Sequence, residues 1–155
     1  MTDRVPRDSW KTIVSYSPLV SVDLIVESES GIVVGKRKNK PAKGKWFTPG
    51  GIVRKEERLE DAVHRVAKTE LGQSVNIKTQ LGVYEHHYPN SEFSDVSKHY
   101  IAIGYVVTVD EGEIIPDSQH SELKIVSPHY DKEKSDLHKY MQRYLTDYIE
   151  WKDDL

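Results

Sequence analysis

The chain contains no cysteine, which excludes disulfides and thiolate metal sites and leaves oxygen and imidazole as the available metal donors. It has no apolar run long enough for a membrane-spanning helix. Nor has it an excess of positive charge: 22 Lys and Arg stand against 25 Asp and Glu, for a net −3, which argues against a globally basic nucleic-acid binder. No repeat or low-complexity linker interrupts it, so a single domain over residues 1–155 is expected. Residues 1–7 are polar and lead into no apolar signal segment, and a cytoplasmic location is the corresponding expectation. What is present is the mixture of a folded protein: 37% apolar and 30% charged residues, in a chain long enough to bury a core.

Periodicity divides the chain into strands and helices. Trp10, Ile13 and Val14 recur at helical spacing within residues 9–16, and Pro18 stops that helix. Residues 19–27 and 32–37 are rich in β-branched side chains and flank a polar turn at 28–31. Short extended segments are expected over 46–54, around Pro49, Gly50 and Gly51. Leu59, Ala62, Val63 and Val66 form one stripe of an amphipathic helix over about 58–71, closed by Gly72. Two longer strands are expected at 75–88 and 98–109, and a short one at 122–126. Leu137, Met141, Tyr144, Leu145 and Tyr148 then mark a C-terminal amphipathic helix. Strands covered by two helices predict an α+β or mixed α/β layered fold, with an α+β (α/β/α) sandwich as the expected arrangement.

The segment 51–72, GIVRKEERLEDAVHRVAKTELG, carries the chemistry. Its glycines allow a close backbone approach to a ligand, and helix carboxylates offer the hard oxygens that Mg²⁺ prefers. Gly51, Glu57, Arg65, Glu70 and Gly72 stand at the spacings of the Nudix box, so the segment resembles that loop–helix–loop motif. Val66 and Thr69 stand where the box has two glutamates that serve attack on phosphorus, and Gln73 replaces its final apolar residue.

The pieces PLVSVDLIVE, GKRKNKPAKGKWFTPGG, RVAKTELG, GVYEHHY, KHYIAIGY and PDSQH, running from about Ser17 to His120, look like the GDP-mannose mannosyl hydrolase branch of that family. The resemblance implies a mixed sheet between helices and hydrolysis of a nucleotide sugar by water attack at the anomeric carbon. It implies Mg²⁺, with Mn²⁺ able to substitute, held by the Gly50 carbonyl, Glu70 and Gln119. It makes His120 the general base, puts Asp23 on the sugar side and Arg37 on the departing diphosphate, and brings Arg65 in from the box. His86 and Tyr100 match further substrate-contacting positions, and a homodimer is the implied assembly. The branch has a phosphate-binding arginine after the glycine pair; here that residue is Ile52, and Arg54, two along an extended strand, would share its face. A conventional Nudix pyrophosphohydrolase and a degenerate nucleotide-binding module remain open as alternatives.

Other features carry plainer expectations. Residues 36–45 hold six basic residues and no acidic one, a solvated loop or a diphosphate-steering rim. Of His86 and His87, adjacent on a strand, one should face the core and the other solvent. His120 is expected in a surface loop, His99, His129 and His138 as surface histidines, Trp46 and Phe47 as packing residues, and 150–155 as a solvated end.

Overall fold

The computed structural model describes residues 4–37, 44–109, 120–129 and 136–155. Its elements in chain order are α1 (Arg7–Tyr16), β1 (Leu19–Ser28), β2 (Gly31–Arg37), β3 (Trp46–Phe47), β4 (Gly50–Ile52), α2 (Leu59–Leu71), β5 (Val75–Tyr88), β6 (Lys98–Val109), β7 (His120–Val126) and α3 (Lys139–Asp153). The main sheet runs β3-β2-β1-β6-β5, with β4 added to β1 and β7 to β2. β1 and β6 are parallel and the other pairs antiparallel, so the sheet is mixed.

β1 is buried on both faces, and its alternation sends its residues into two different cores. Val22, Leu24 and Val26 pack with Val33, Ile103, Tyr105 and Val107 beneath Ala62, Val63, Val66, Ala67 and Leu71 of α2. Ile25, with Ile32, Val34, Phe47 and Val106, meets Met141, Tyr144, Leu145 and Tyr148 of α3. The expected α/β/α arrangement follows from these two faces. A third cluster, Trp10, Val14, Leu19 and Phe93, seats α1, and Ile52 and Tyr100 pack against it.

Several boundaries move, each for a local reason. α1 starts at Arg7, directly after Pro6, where a missing N–H costs a helix nothing. β4 stops at Ile52, and Arg54 lies in a turn where its N–H donates to Glu57 Oε1 over 3.0 Å and its carbonyl accepts from the Glu57 N–H over 3.0 Å. The extended run to Arg54 expected from sequence is therefore absent. Leu137 precedes α3 and bridges to Trp46. α3 continues to Asp153, so the end expected at 150–155 is largely helix, exposed except at Trp151, which packs on the core. The backbone of His120 opens β7 rather than lying in a loop. No described helix is long and apolar enough to cross a membrane.

Gly72 closes α2 in the left-handed conformation, φ 70°, with its N–H donating to the Lys68 carbonyl. A Cβ there is strained, and Gly72→Ala is expected to cost about 1–2 kcal/mol in urea unfolding. A change below a few tenths would mean that the turn re-forms without the left-handed residue.

Candidate active site

The glycine pair forms the seam between α2 and the middle of the sheet. Gly50 sits opposite Asp23 in the β1–β4 ladder, and a Cβ on Gly50 would collide with Asp23 Oδ1 and come within 2.9 Å of the Val22 carbonyl. A Cβ on Gly51 would lie 2.8 Å from Val66 Cγ2, so this glycine lets β4 press against α2. Val66, 2% exposed, is part of the apolar core where a box glutamate would otherwise project. Thr69 is exposed, while Glu70, one turn on from Val66 along the same helix face, is 4% exposed. The box thus retains one carboxylate at this face, and it is buried.

Glu57 and Arg65 brace the loop that leads into α2. Arg65 Nε donates to Glu57 Oε2 at 2.7 Å, and Arg65 Nη2 donates to Glu57 Oε1 at 2.9 Å and to the Ile52 carbonyl at 2.8 Å. Those bonds from Arg65, with the Arg54 N–H assisting, hold the Glu57 carboxyl down to about 2. Arg65, expected among the catalytic residues, thus ties the Glu57 carboxylate to the Ile52 backbone. The position of the missing arginine is also filled, since Ile52 packs into the α1 cluster.

Asp23 lies at the centre of β1, level with Gly104 of β6 as well as Gly50. Tyr144 of α3 donates to Asp23 Oδ2 at 2.5 Å. Burial raises the Asp23 carboxyl from 3.8 to about 6, with the Tyr144 bond and the Arg37 charge pulling the other way. His86 Nδ1 lies 3.9 Å from the same oxygen. Burial holds the His86 imidazole down to about 4, with the neighbouring His138 and His87 adding to the effect. At neutral pH this is therefore a carboxylate beside a neutral ring, too far apart for a hydrogen bond, and not an ion pair. Of the histidine pair, His86 faces inward at 4% exposure and His87 outward.

Aromatic groups wall the space around His86. The Tyr140 ring stacks on it at 4.2 Å and 10°, and His138 lies 5.2 Å from Phe47 and 5.6 Å from Tyr88. Tyr100 pairs with His86 across β5 and β6, and Tyr88 lies edge-on to it at 6.0 Å. Arg37 ends β2 and acts electrostatically on Asp23, Tyr88, Tyr100 and His138. In the β2–β7 ladder Arg37 is the partner of His120, which brings two expected site positions together at the backbone.

Asp23, Arg37, His86 and Tyr100 are thus gathered in one region, with Gly50 beside Asp23. Gln119 lies outside the described residues, as do 38–43 of the basic stretch. His138 is not an ordinary surface residue: its Nδ1 accepts from the Tyr140 N–H at the start of α3, and burial lowers its ring to about 4. His99 is half-buried and stacked on His87, while His129 is exposed. Tyr88, His138, Tyr140 and Tyr144 also stand in this region, and no sequence motif marks them. The tyrosine spacing at 140, 144 and 148 carried a signal, but it reads equally well as the apolar stripe of a helix.

Residues 17–146 match the NUDIX domain model, and the chain belongs to the Nudix family. Among curated relatives, the low-salt glycan biosynthesis protein Agl8 of Haloferax volcanii is 48% identical over 145 residues, covering 93% of this chain and 90% of the relative. An ADP-ribose pyrophosphatase of Methanocaldococcus jannaschii is 33% identical over 146 residues, covering 94% of this chain and 82% of that one. A MutT Nudix hydrolase from Burkholderia pseudomallei superposes with a TM-score of 0.72 at 26% identity, over 84% of this chain and 98% of that chain.

The raised Asp23 carboxyl makes the folded metal-free protein hold a proton more tightly than the unfolded chain. Its favourable contribution is complete below 3.8 and is lost as pH rises through about 6. His86 and His138, with lowered values, give the opposite slope from about 4 to 6.5. Subtracting Asp23→Asn from wild type in urea unfolding with chelator should therefore isolate a loss of about 1–3 kcal/mol across that window. Parallel profiles for the two proteins would mean that Asp23 ionises as it does in water.

Proposed function

We propose that the chain is a divalent-metal-dependent hydrolase of a nucleoside-diphosphate sugar, of the GDP-mannose mannosyl hydrolase type, with water attacking the anomeric carbon. The observation that carries this reading is the box itself: Val66 is sealed in the core, Thr69 faces solvent, and Glu70 is the buried carboxylate that remains. A box reduced in this way is poorly equipped to prepare hydroxide against phosphorus, whereas departure of a diphosphate from carbon needs mainly charge neutralisation. Agl8, named for glycan biosynthesis, and the ADP-ribose pyrophosphatase, named for a sugar-bearing diphosphate, both agree with a substrate of this class.

The donors fit a hard cation: the carboxylate of Glu70, the carbonyl of Gly50 and the amide oxygen of Gln119 are all oxygen ligands. Mg²⁺ bound there, or Mn²⁺ in its place, would take up charge on the diphosphate. Arg37 adds a fixed positive charge to the same leaving group. Asp23, ionised at neutral pH and held by Tyr144, accepts a hydrogen bond from a sugar hydroxyl. His86, neutral, together with Tyr100, contacts the substrate, and Arg65 positions the box loop. His120 takes the proton of the attacking water as its oxygen bonds to the anomeric carbon. The carbon–oxygen bond to the diphosphate breaks in the same step, and its electron pair leaves with GDP. The functional assembly is a homodimer and the substrate a small molecule.

The relative named as a pyrophosphatase favours a second reading, attack on phosphorus to release a nucleoside monophosphate. The replacements at Val66 and Thr69 favour a third, a nucleotide-binding module without turnover.

Hydrolysis of GDP-mannose with Mg²⁺ in ¹⁸O-labelled water separates them. GDP and labelled mannose are expected; GMP with mannose 1-phosphate, the label on a phosphate, would establish the second reading. His120→Ala should lower kcat by roughly 10²–10⁴-fold with KM little changed, and unaltered turnover would remove His120 as the base.

A further inference from the structure

Alternation along β5 that turns His86 inward turns Glu85 and His87 to the opposite face of the sheet. Glu85 and His87 are two residues apart and share that face, and His99 of β6 is the direct cross-strand partner of His87. One donor atom from each of the three side chains lies within 4.8 Å of the others. The two imidazoles stack at 4.2 Å and 21°, and His99 Nε2 is buried without a hydrogen bond among the described residues. Glu85 and His87 are exposed, so a cation and its remaining water ligands have access.

We propose that Glu85, His87 and His99 bind a late first-row divalent cation of the Zn²⁺ class, at a site separate from the Nudix box. Two imidazoles and one carboxylate are a borderline donor set that Zn²⁺ accepts and Mg²⁺ does not seek. Tetrahedral bonds of about 2.0–2.1 Å put neighbouring donors about 3.4 Å apart, so the exposed Glu85 and His87 need only small rotamer shifts to close on an ion. The ladder fixes the backbones of His87 and His99 beforehand, which removes much of the ordering cost of assembling the ligands. Tyr140 adds support: its hydroxyl accepts from the His87 N–H at 2.8 Å and donates to the His87 carbonyl at 3.0 Å. The same Tyr140 ring stacks on His86, so an ion on the outer face stiffens the strand end that carries the inner site.

Zn²⁺ titration of the full-length protein by calorimetry in saturating Mg²⁺ tests the site, using wild type, His87→Ala, His99→Ala and Glu70→Gln. One Zn²⁺ per chain is expected for wild type and for Glu70→Gln. Either histidine substitution should weaken it by 100-fold or more, beyond the roughly 10–100-fold that loss of an outer-shell partner costs. A Zn²⁺-dependent rise in Tm, present in wild type and absent in the well-folded His87→Ala protein, is the second readout. Absence of Zn²⁺ binding in wild type, or binding lost in Glu70→Gln but kept in both histidine variants, would overturn the proposal.

Discussion

A carboxylate in the middle of a sheet must find partners or lose its charge, and Asp23 imposes that requirement on its surroundings. Its level in β1 is shared by Gly50 on one side and Gly104 on the other. A Cβ on Gly104 would press to 3.1 Å from the Tyr144 ring, so this glycine gives the tyrosine its place beside Asp23. Tyr144 in turn ties α3 to the central strand. The helix that covers one face of the sheet is thereby also a wall of the region around Asp23, where burial raises the carboxyl to about 6.

On the other face the Nudix helix does two jobs with one stripe. Ala62, Val63, Val66, Ala67 and Leu71 build the core, and Glu70 interrupts that apolar face with a buried carboxyl group. Where Val66 stands, packing against Gly51 has taken the place of a ligand. Ile52, next to the glycine pair, makes a similar apolar contact with the α1 cluster. A side chain packed into the core in this way is not available to a ligand.

β5 links the two faces. His86 and His87 are neighbours in the chain but lie in different surroundings, one neutral among tyrosines and the other exposed beside His99. Tyr140 touches both, through its ring and its hydroxyl. An edge strand held in this way has less freedom to fray, which benefits the residues it presents inward.

Local pattern carried the elements and the box. β-branched runs marked β1 and β2, helical spacing and Gly72 marked α2, and the box residues stood at their spacings, because these signals act over a few residues of chain. The sequence by itself therefore determined the layered fold, the helix that bears Glu70, and the absence of the two glutamates. It could not reveal that His138 caps α3 within an aromatic cleft, that Arg65 is tied to Glu57 and Ile52, or that the backbone of His120 pairs with that of Arg37. Nor could it reveal that residues 121 positions apart, Asp23 and Tyr144, share a hydrogen bond. Those matters were decided by strand register and helix docking, which bring distant segments together and set the burial on which each group's charge depends.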